Sequence, residues 1–253
     1  MKYKTAFSLA LLFVLTTGLQ AAQRGAPAGP PPTAKASAPI DLAGYWVSII
    51  TEDWRFRMVL PKKGDNPSIP VNAEGKRVVD SWDPSRDEAA GEQCKAWGAG
   101  NIMRMPGRLH ITWDNDNTLR VDTEAGTQTR MLRFGAAPSS NAQPAWQGES
   151  AAQWEFAGGR PPRGGAPAAG GNLKVVTTRM RPGYLQLNGV PYSGNAVVTE
   201  SFFVTREPNG DQWLFVTTVV EDPQYLTARL VRSSHFKKLP DGSAWKPAPC
   251  SVS

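Results

Sequence analysis

The 253-residue chain has two histidines, His110 in a segment that alternates apolar and polar residues and His235 in the last strand-like segment beside Phe236. Imidazole titrates near neutral pH, so either could act as a general acid or base. The alternation puts Leu109, Ile111 and Trp113 on one face of a strand and His110 with Thr112 on the other. Carboxylates at Glu155, Glu200, Glu221 and Asp222 lie on or at the ends of similar segments. Inside a barrel such groups lose water and their pKa rises, which suits acid–base work. Glu200 or Asp222 as base, with His110 or Tyr192 as partner, is therefore the candidate catalytic set. Each member also has an ordinary structural reading; Glu221-Asp222-Pro223, for one, is a plain strand-ending turn.

Other chemistries find less support. Asp114-Asn115-Asp116-Asn117 imitates the start of a calcium loop but lacks its glycine and its distant glutamate, so it reads as a hairpin turn. Met103 and Met105 near His110 are soft ligands in principle, yet methionines beside Pro106 more often fill core gaps. No Gly-x-Ser-x-Gly elbow, Gly-Lys-Ser/Thr loop or His-Glu-x-x-His helix occurs. No metal and no cofactor is expected. The nine tryptophans are a richer signal. Aromatic faces with a few polar groups make small-molecule sites, and Trp46, Trp54, Trp113, Trp154 and Trp213 are the candidate ligand-binding residues.

The elements that must position these residues read as β. The chain is 40% hydrophobic and 20% charged, enough for a core, and its 24 Gly and 22 Pro argue against an all-helical fold. Gly44–Thr51, Trp54–Met58, Leu109–Trp113, Leu119–Thr123, Thr127–Phe134, Leu173–Thr178, Ala196–Thr205, Gln212–Val220 and Leu226–Phe236 have strand composition or alternation. Asn209-Gly210 predicts a two-residue type I′ turn. Asn72 predicts the cap of one short helix. About ten strands must close or pair to hide their edges, giving an all-β antiparallel barrel or sandwich. Residues 41–250 then form a single β domain. Its Gly/Pro-rich stretch 157–172 reads as an insertion, since both flanks read as strand.

Asp41-Leu42-Ala43-Gly44-Tyr45-Trp46 resembles the Gly-x-Trp opening strand of lipocalin-type barrels. That likeness implies a tryptophan plugging the closed end of a barrel that holds an apolar ligand. A second resemblance is to uncharacterised secreted β-rich bacterial proteins. It rests on the Cys94 region, Trp146-Gln147-Gly148-Glu149-Ser150 with Trp154-Glu155, Asn188-Gly189-Val190-Pro191-Tyr192-Ser193 and Glu221-Asp222-Pro223-Gln224-Tyr225. It spans roughly 83–236, implies fold and export, and brings no activity with it.

Lys2 and Lys4, an apolar run from Ala6 to Leu15 and small residues at Ala21 and Ala22 have the layout of a signal peptide over 1–21. Residues 22–40, rich in Ala and Pro, predict a disordered leader. Removing the signal lowers the formal charge from +6 by two lysines to +4. With no clustered basic run, a nucleic-acid partner is rejected. No later stretch is long and apolar enough to span a membrane, so the mature chain is expected to be exported, periplasmic or extracellular. In that compartment Cys94 and Cys250 predict a disulfide fastening the C-terminal tail to the 83–100 loop. The leading expectation is an exported barrel binding a small, partly apolar ligand. The alternatives are a periplasmic enzyme using cavity carboxylates with His or Tyr, and an envelope interaction module with a solid core and an exposed aromatic patch.

Overall fold

The computed structural model describes residues 31–135, 143–160 and 170–252. The expected signal peptide lies outside them. Among the described residues thirteen strands run in chain order: β1 Gly44–Ile49, β2 Arg108–Asn115, β3 Thr118–Thr123, β4 Ala125–Gly126, β5 Gln128–Phe134, β6 Glu149–Phe156, β7 Gly171–Thr178, β8 Gly183–Gln186, β9 Val190–Tyr192, β10 Val197–Arg206, β11 Gln212–Glu221, β12 Leu230–Leu239 and β13 Ala248–Pro249. Nine of them close a barrel in the order β1-β12-β11-β10-β7-β6-β5-β3-β2. Each barrel strand therefore neighbours the next one along the chain, and β1 seals the ring against β12.

The ring is mixed where a purely antiparallel one is expected from the sequence. β5 and β6 pair in parallel, Leu132 opposite Ser150, and every other barrel pair is antiparallel. Parity requires this. A ring of antiparallel pairs needs an even number of strands, so nine strands close only if one pair runs parallel. Ahead of β6, Ala145 makes a parallel bridge to Met180. The Gly/Pro-rich stretch joins β6 to β7, which pair directly as far as Phe156 opposite Gly171.

Three further expectations need correcting. Trp54–Met58 is helix α1, not a strand. Asp53, at φ 50°, ends the extended run, and Arg57 turns inward to donate from Nε to the Arg104 carbonyl (2.8 Å) while Trp54 stays 62% exposed. The basic residue is buried and the aromatic is out, the reverse of a half-buried strand. The expected single helix is α2 Ala73–Ser81, capped by Asn72 accepting from the Gly75 amide; α3 Pro84–Ala89 and α1 join it. At 207–211 Pro208 and Asn209 centre a turn closed by the Gly210 amide on the Glu207 carbonyl. Gly210 takes φ 90° there, whereas Asn209 is not in the left-handed region a type I′ turn requires of both residues.

The barrel interior is packed. Trp46, Leu173, Val175, Phe202, Leu214, Val216 and Phe236 are essentially without exposure, together with Ile111, Leu119, Val121 and Leu132. One end is covered by the chain that precedes β1. Ala34 donates to Asn117 Oδ1, Lys35 donates to the Asp116 carbonyl, and the Trp154 indole donates to the Ala34 carbonyl. Residues 33–38 thus form an ordered cover where a disordered leader is expected. The other end is stoppered by short turns of helix carrying Trp97, Ile102 and Met103. Beyond them a second apolar cluster links α2 to the β8–β9 hairpin through Val79, Leu185, Val190 and Tyr192. The Cys94–Cys250 disulfide is present, with Cα atoms 5.1 Å apart, and beside it β13 pairs with β4.

Candidate functional site on the outer wall

In an antiparallel barrel with a filled core, alternate residues face outward and are normally polar. One band of this wall departs from that rule. Ile49 on β1 stands opposite His235 on β12, His235 opposite Phe215 on β11, and Phe215 opposite Phe203 on β10. Four neighbouring strands thereby contribute one continuous row of outward side chains. Phe215 meets the His235 ring edge-on at 4.9 Å and Phe203 at 6.4 Å, and Phe203 is 46% exposed. Trp213 lies two residues along β11 on the same face.

The 207–211 turn rises beside this row and makes it concave. Ile49, Thr51, Trp213, Phe215 and His235 line a groove of about 620 Å³ whose rim is Glu207, Pro208, Asn209 and Asp211. That volume falls within the range of small-molecule sites. The rim is braced: Lys237 Nζ lies 2.8 Å from Asp211 Oδ2, and Asn209 bonds the same carboxylate. The Lys237 hydrogen bond, with help from Asn209, holds the Asp211 carboxyl below the ordinary carboxylate range. His235 faces Thr51 Oγ1 at 3.4 Å and Glu52 Oε2 at 3.5 Å through Nδ1, and Ser233 Oγ at 3.4 Å through Nε2. Aromatic walls with an imidazole and two rim carboxylates suit a ring or chain with one polar end.

The candidate ligand-binding tryptophans are not brought together. Trp213 is in the groove. Trp46 is fully buried, donates from its indole to the Leu42 carbonyl at 2.9 Å, and carries the Lys238 ammonium over its ring. Trp113 and Trp154 pack with Phe134 beneath the 33–38 cover, and Trp54 is exposed on α1.

The candidate catalytic residues are also dispersed. Glu200 is inside the barrel in a two-point ion pair with Arg130, Nη1 to Oε1 at 3.0 Å and Nη2 to Oε2 at 2.5 Å, both side chains at 0% exposure. Asp222 accepts from the Ser193 amide and hydroxyl and from the Gln224 amide, which fixes the turn after β11. Tyr192 is buried among Leu185 and Val190, and its hydroxyl has no hydrogen-bond partner. His110 lies on the outer wall with its ring stacked on Tyr45 at 4.0 Å. Among the described residues no group of three or more His, Cys, Asp or Glu is placed to hold a metal ion.

Sequence reasoning singled out Trp213 and His235 but missed Ile49, Phe203 and Phe215 as partners. Phe202-Phe203 and Trp213-Leu214-Phe215 break strict alternation, and that break was the available signal. Comparison with protein-family models, with curated proteins and with solved structures found no match to this chain.

Proposed function

We propose that the protein is an exported β-barrel that binds a small, partly apolar ligand in the groove on its outer wall. The observation that carries this reading is the Ile49–His235–Phe215 row, with Trp213 beside it and the 207–211 turn as rim. A packed core argues against an internal ligand of the lipocalin kind, while the buried Trp46 on the first strand of a closed barrel supports kinship with that architecture. Export is supported by the disulfide, which persists in oxidising compartments. It is also consistent with the fact that no described helix is long and apolar enough to cross a membrane. The dispersal of Glu200, Asp222, His110 and Tyr192 favours binding over catalysis.

Titrating intrinsic fluorescence against lipid, terpenoid and aromatic panels tests the proposal. A saturable response lost in Trp213→Ala and Phe215→Ser supports it. A response those variants leave intact, or no response to any panel member, overturns it. A second reading as an envelope interaction module rests on one further observation. Trp54, Met58, Val59 and Leu60 are exposed together at 62%, 59%, 56% and 46%. In that case the native exported protein sediments as a larger assembly that Trp54→Ser releases; a monomer in native extract rejects it.

A further inference from the structure

A second concave site lies at the stoppered end of the barrel and is lined by cations. β1 pairs with β12 only from His235 onward, so the Leu230–Ser234 stretch has a free edge on that side. The segments around α1 and Ile102–Arg104 fill the gap. Arg104 Nη1 donates to the Ser233 carbonyl at 3.3 Å, and Arg57 Nε donates to the Arg104 carbonyl. Arg232 reaches across to the Leu185 carbonyl at 2.9 Å. Arg57, Arg104 and Arg232 then line one pocket with Asn101, Phe56 and Leu185.

The charges there do not balance. Arg57 and Arg104 are each 6% exposed. Glu52 pairs with Arg57, and Asp53 Oδ2 lies 2.9 Å from Arg104 Nη2. Among the described residues no carboxylate pairs with Arg232. Three guanidinium groups therefore face two carboxylates, and Glu52 is also shared with His235. In addition Arg57 Nη2 is buried with no hydrogen-bond partner. An uncompensated cation is costly even at the part-buried Arg232, and a buried donor without an acceptor is expensive. Burial and repulsion from Arg104 pull Arg57 down to about 10 and Arg232 to about 9, so both stay protonated at neutral pH, and burial lowers Arg104 as well. The pocket has about 20 Å³ of free volume, enough for one or two water-sized groups.

We propose that this pocket binds a small monovalent anion, a halide or a carboxylate no larger than formate, between Arg57, Arg104 and Arg232. The anion supplies the third negative charge and gives Arg57 Nη2 its acceptor. A carboxylate would take guanidinium donors in pairs, a halide singly. The site is separate from the outer-wall groove, and Glu52 contacts one residue of each, Arg57 here and His235 there.

Thermal unfolding of the full chain at pH 7 in sodium chloride, sodium formate and sodium gluconate at equal ionic strength tests the proposal. Gluconate is too large to enter and controls for screening. A saturable Tm rise of about 5–10 °C in chloride, formate or both, at a hundredfold excess over Kd, is expected relative to gluconate. Formate outranking chloride identifies a carboxylate site, and the reverse a halide site. Arg232→Met should remove the difference between salts. If that variant does not fold, excess chloride-35 line broadening by the wild type, displaced by formate, takes its place. Equal Tm values in all three salts, or a salt difference that Arg232→Met leaves unchanged, overturns the proposal.

Discussion

Replacing Glu200 with Leu leaves Arg130 charged in the middle of the barrel with no carboxylate. Both side chains have no exposure, so water cannot restore the loss. Breaking one partner of a buried ion pair costs about 3–5 kcal/mol, most of it the stranded charge. At 2–4 °C per kcal/mol for a chain of this size, that is a Tm loss of roughly 6–20 °C. Arg130→Met should cost a similar amount, because it strands the carboxylate instead. The double change Arg130→Met with Glu200→Leu removes both charges and keeps nearly the same volume. Thr177 Oγ1 and Ser150 Oγ, 2.8 Å apart, still satisfy each other. The double variant is therefore expected within about 1 kcal/mol of wild type or above it. Urea unfolding followed by tryptophan fluorescence and far-ultraviolet circular dichroism measures all four corners of the cycle. Single costs below about 1 kcal/mol, or a double cost equal to their sum, would refute the reasoning. Either result would mean that solvent reaches the pair and would reopen Glu200 as a reactive group.

Reducing the Cys94–Cys250 bridge, which spans 156 residues, should cost about 5 kcal/mol on the chain-entropy view; non-reducing mass spectrometry with alkylation checks that no free thiol precedes reduction. Gly126→Ala should cost more than about 2 kcal/mol in urea unfolding, since φ is 74° there and a Cβ would run into the Trp97 indole. Tyr192→Phe should be neutral or stabilising by about 1 kcal/mol at pH 7, because it removes a hydroxyl without a partner. Burial raises the Tyr192 pKa above its ordinary value near 10, so above that pH the unfolded chain releases the proton first and the folded form loses stability. Tyr192→Phe should therefore gain on wild type by up to about 1.4 kcal/mol per pH unit beyond pH 10, and a constant difference from pH 7 to 11 would contradict this.

Much of the architecture was written locally. Alternation over Leu109–Trp113 places His110 outside and its neighbours inside, as found. Asn72 caps α2 through a bond made within one turn of chain. The bridge of Cys94 to Cys250 was expected from two cysteines in loops of a chain expected to be exported, and it is present. What was not legible is what depends on distant partners. The parallel β5–β6 pair follows from strand number, which no segment encodes by itself. Trp54–Met58 alternates like a strand, but the Arg104 carbonyl and Glu52 decide that Arg57 is the residue to bury. Residues 33–38 lack apolar periodicity, and their order comes from Asp116, Asn117 and Trp154, contributed by two other places in the chain. The groove was half visible. Trp213 and His235 stood out by type, whereas Ile49, Phe215 and Phe203 gain meaning only once the register aligns them across four strands.

The proposed binding surface lies on the outside of a packed barrel, at Trp213, Phe215 and His235. An indole ¹H–¹⁵N spectrum resolves the nine tryptophans, so titrating it with a ligand from the responding panel locates the site directly. The Trp213 resonance is expected to move in a saturable way while those of Trp46, Trp113 and Trp154 stay in place. Movement of the Trp46, Trp113 or Trp154 resonances with Trp213 unchanged would place the ligand inside the barrel and contradict the proposal.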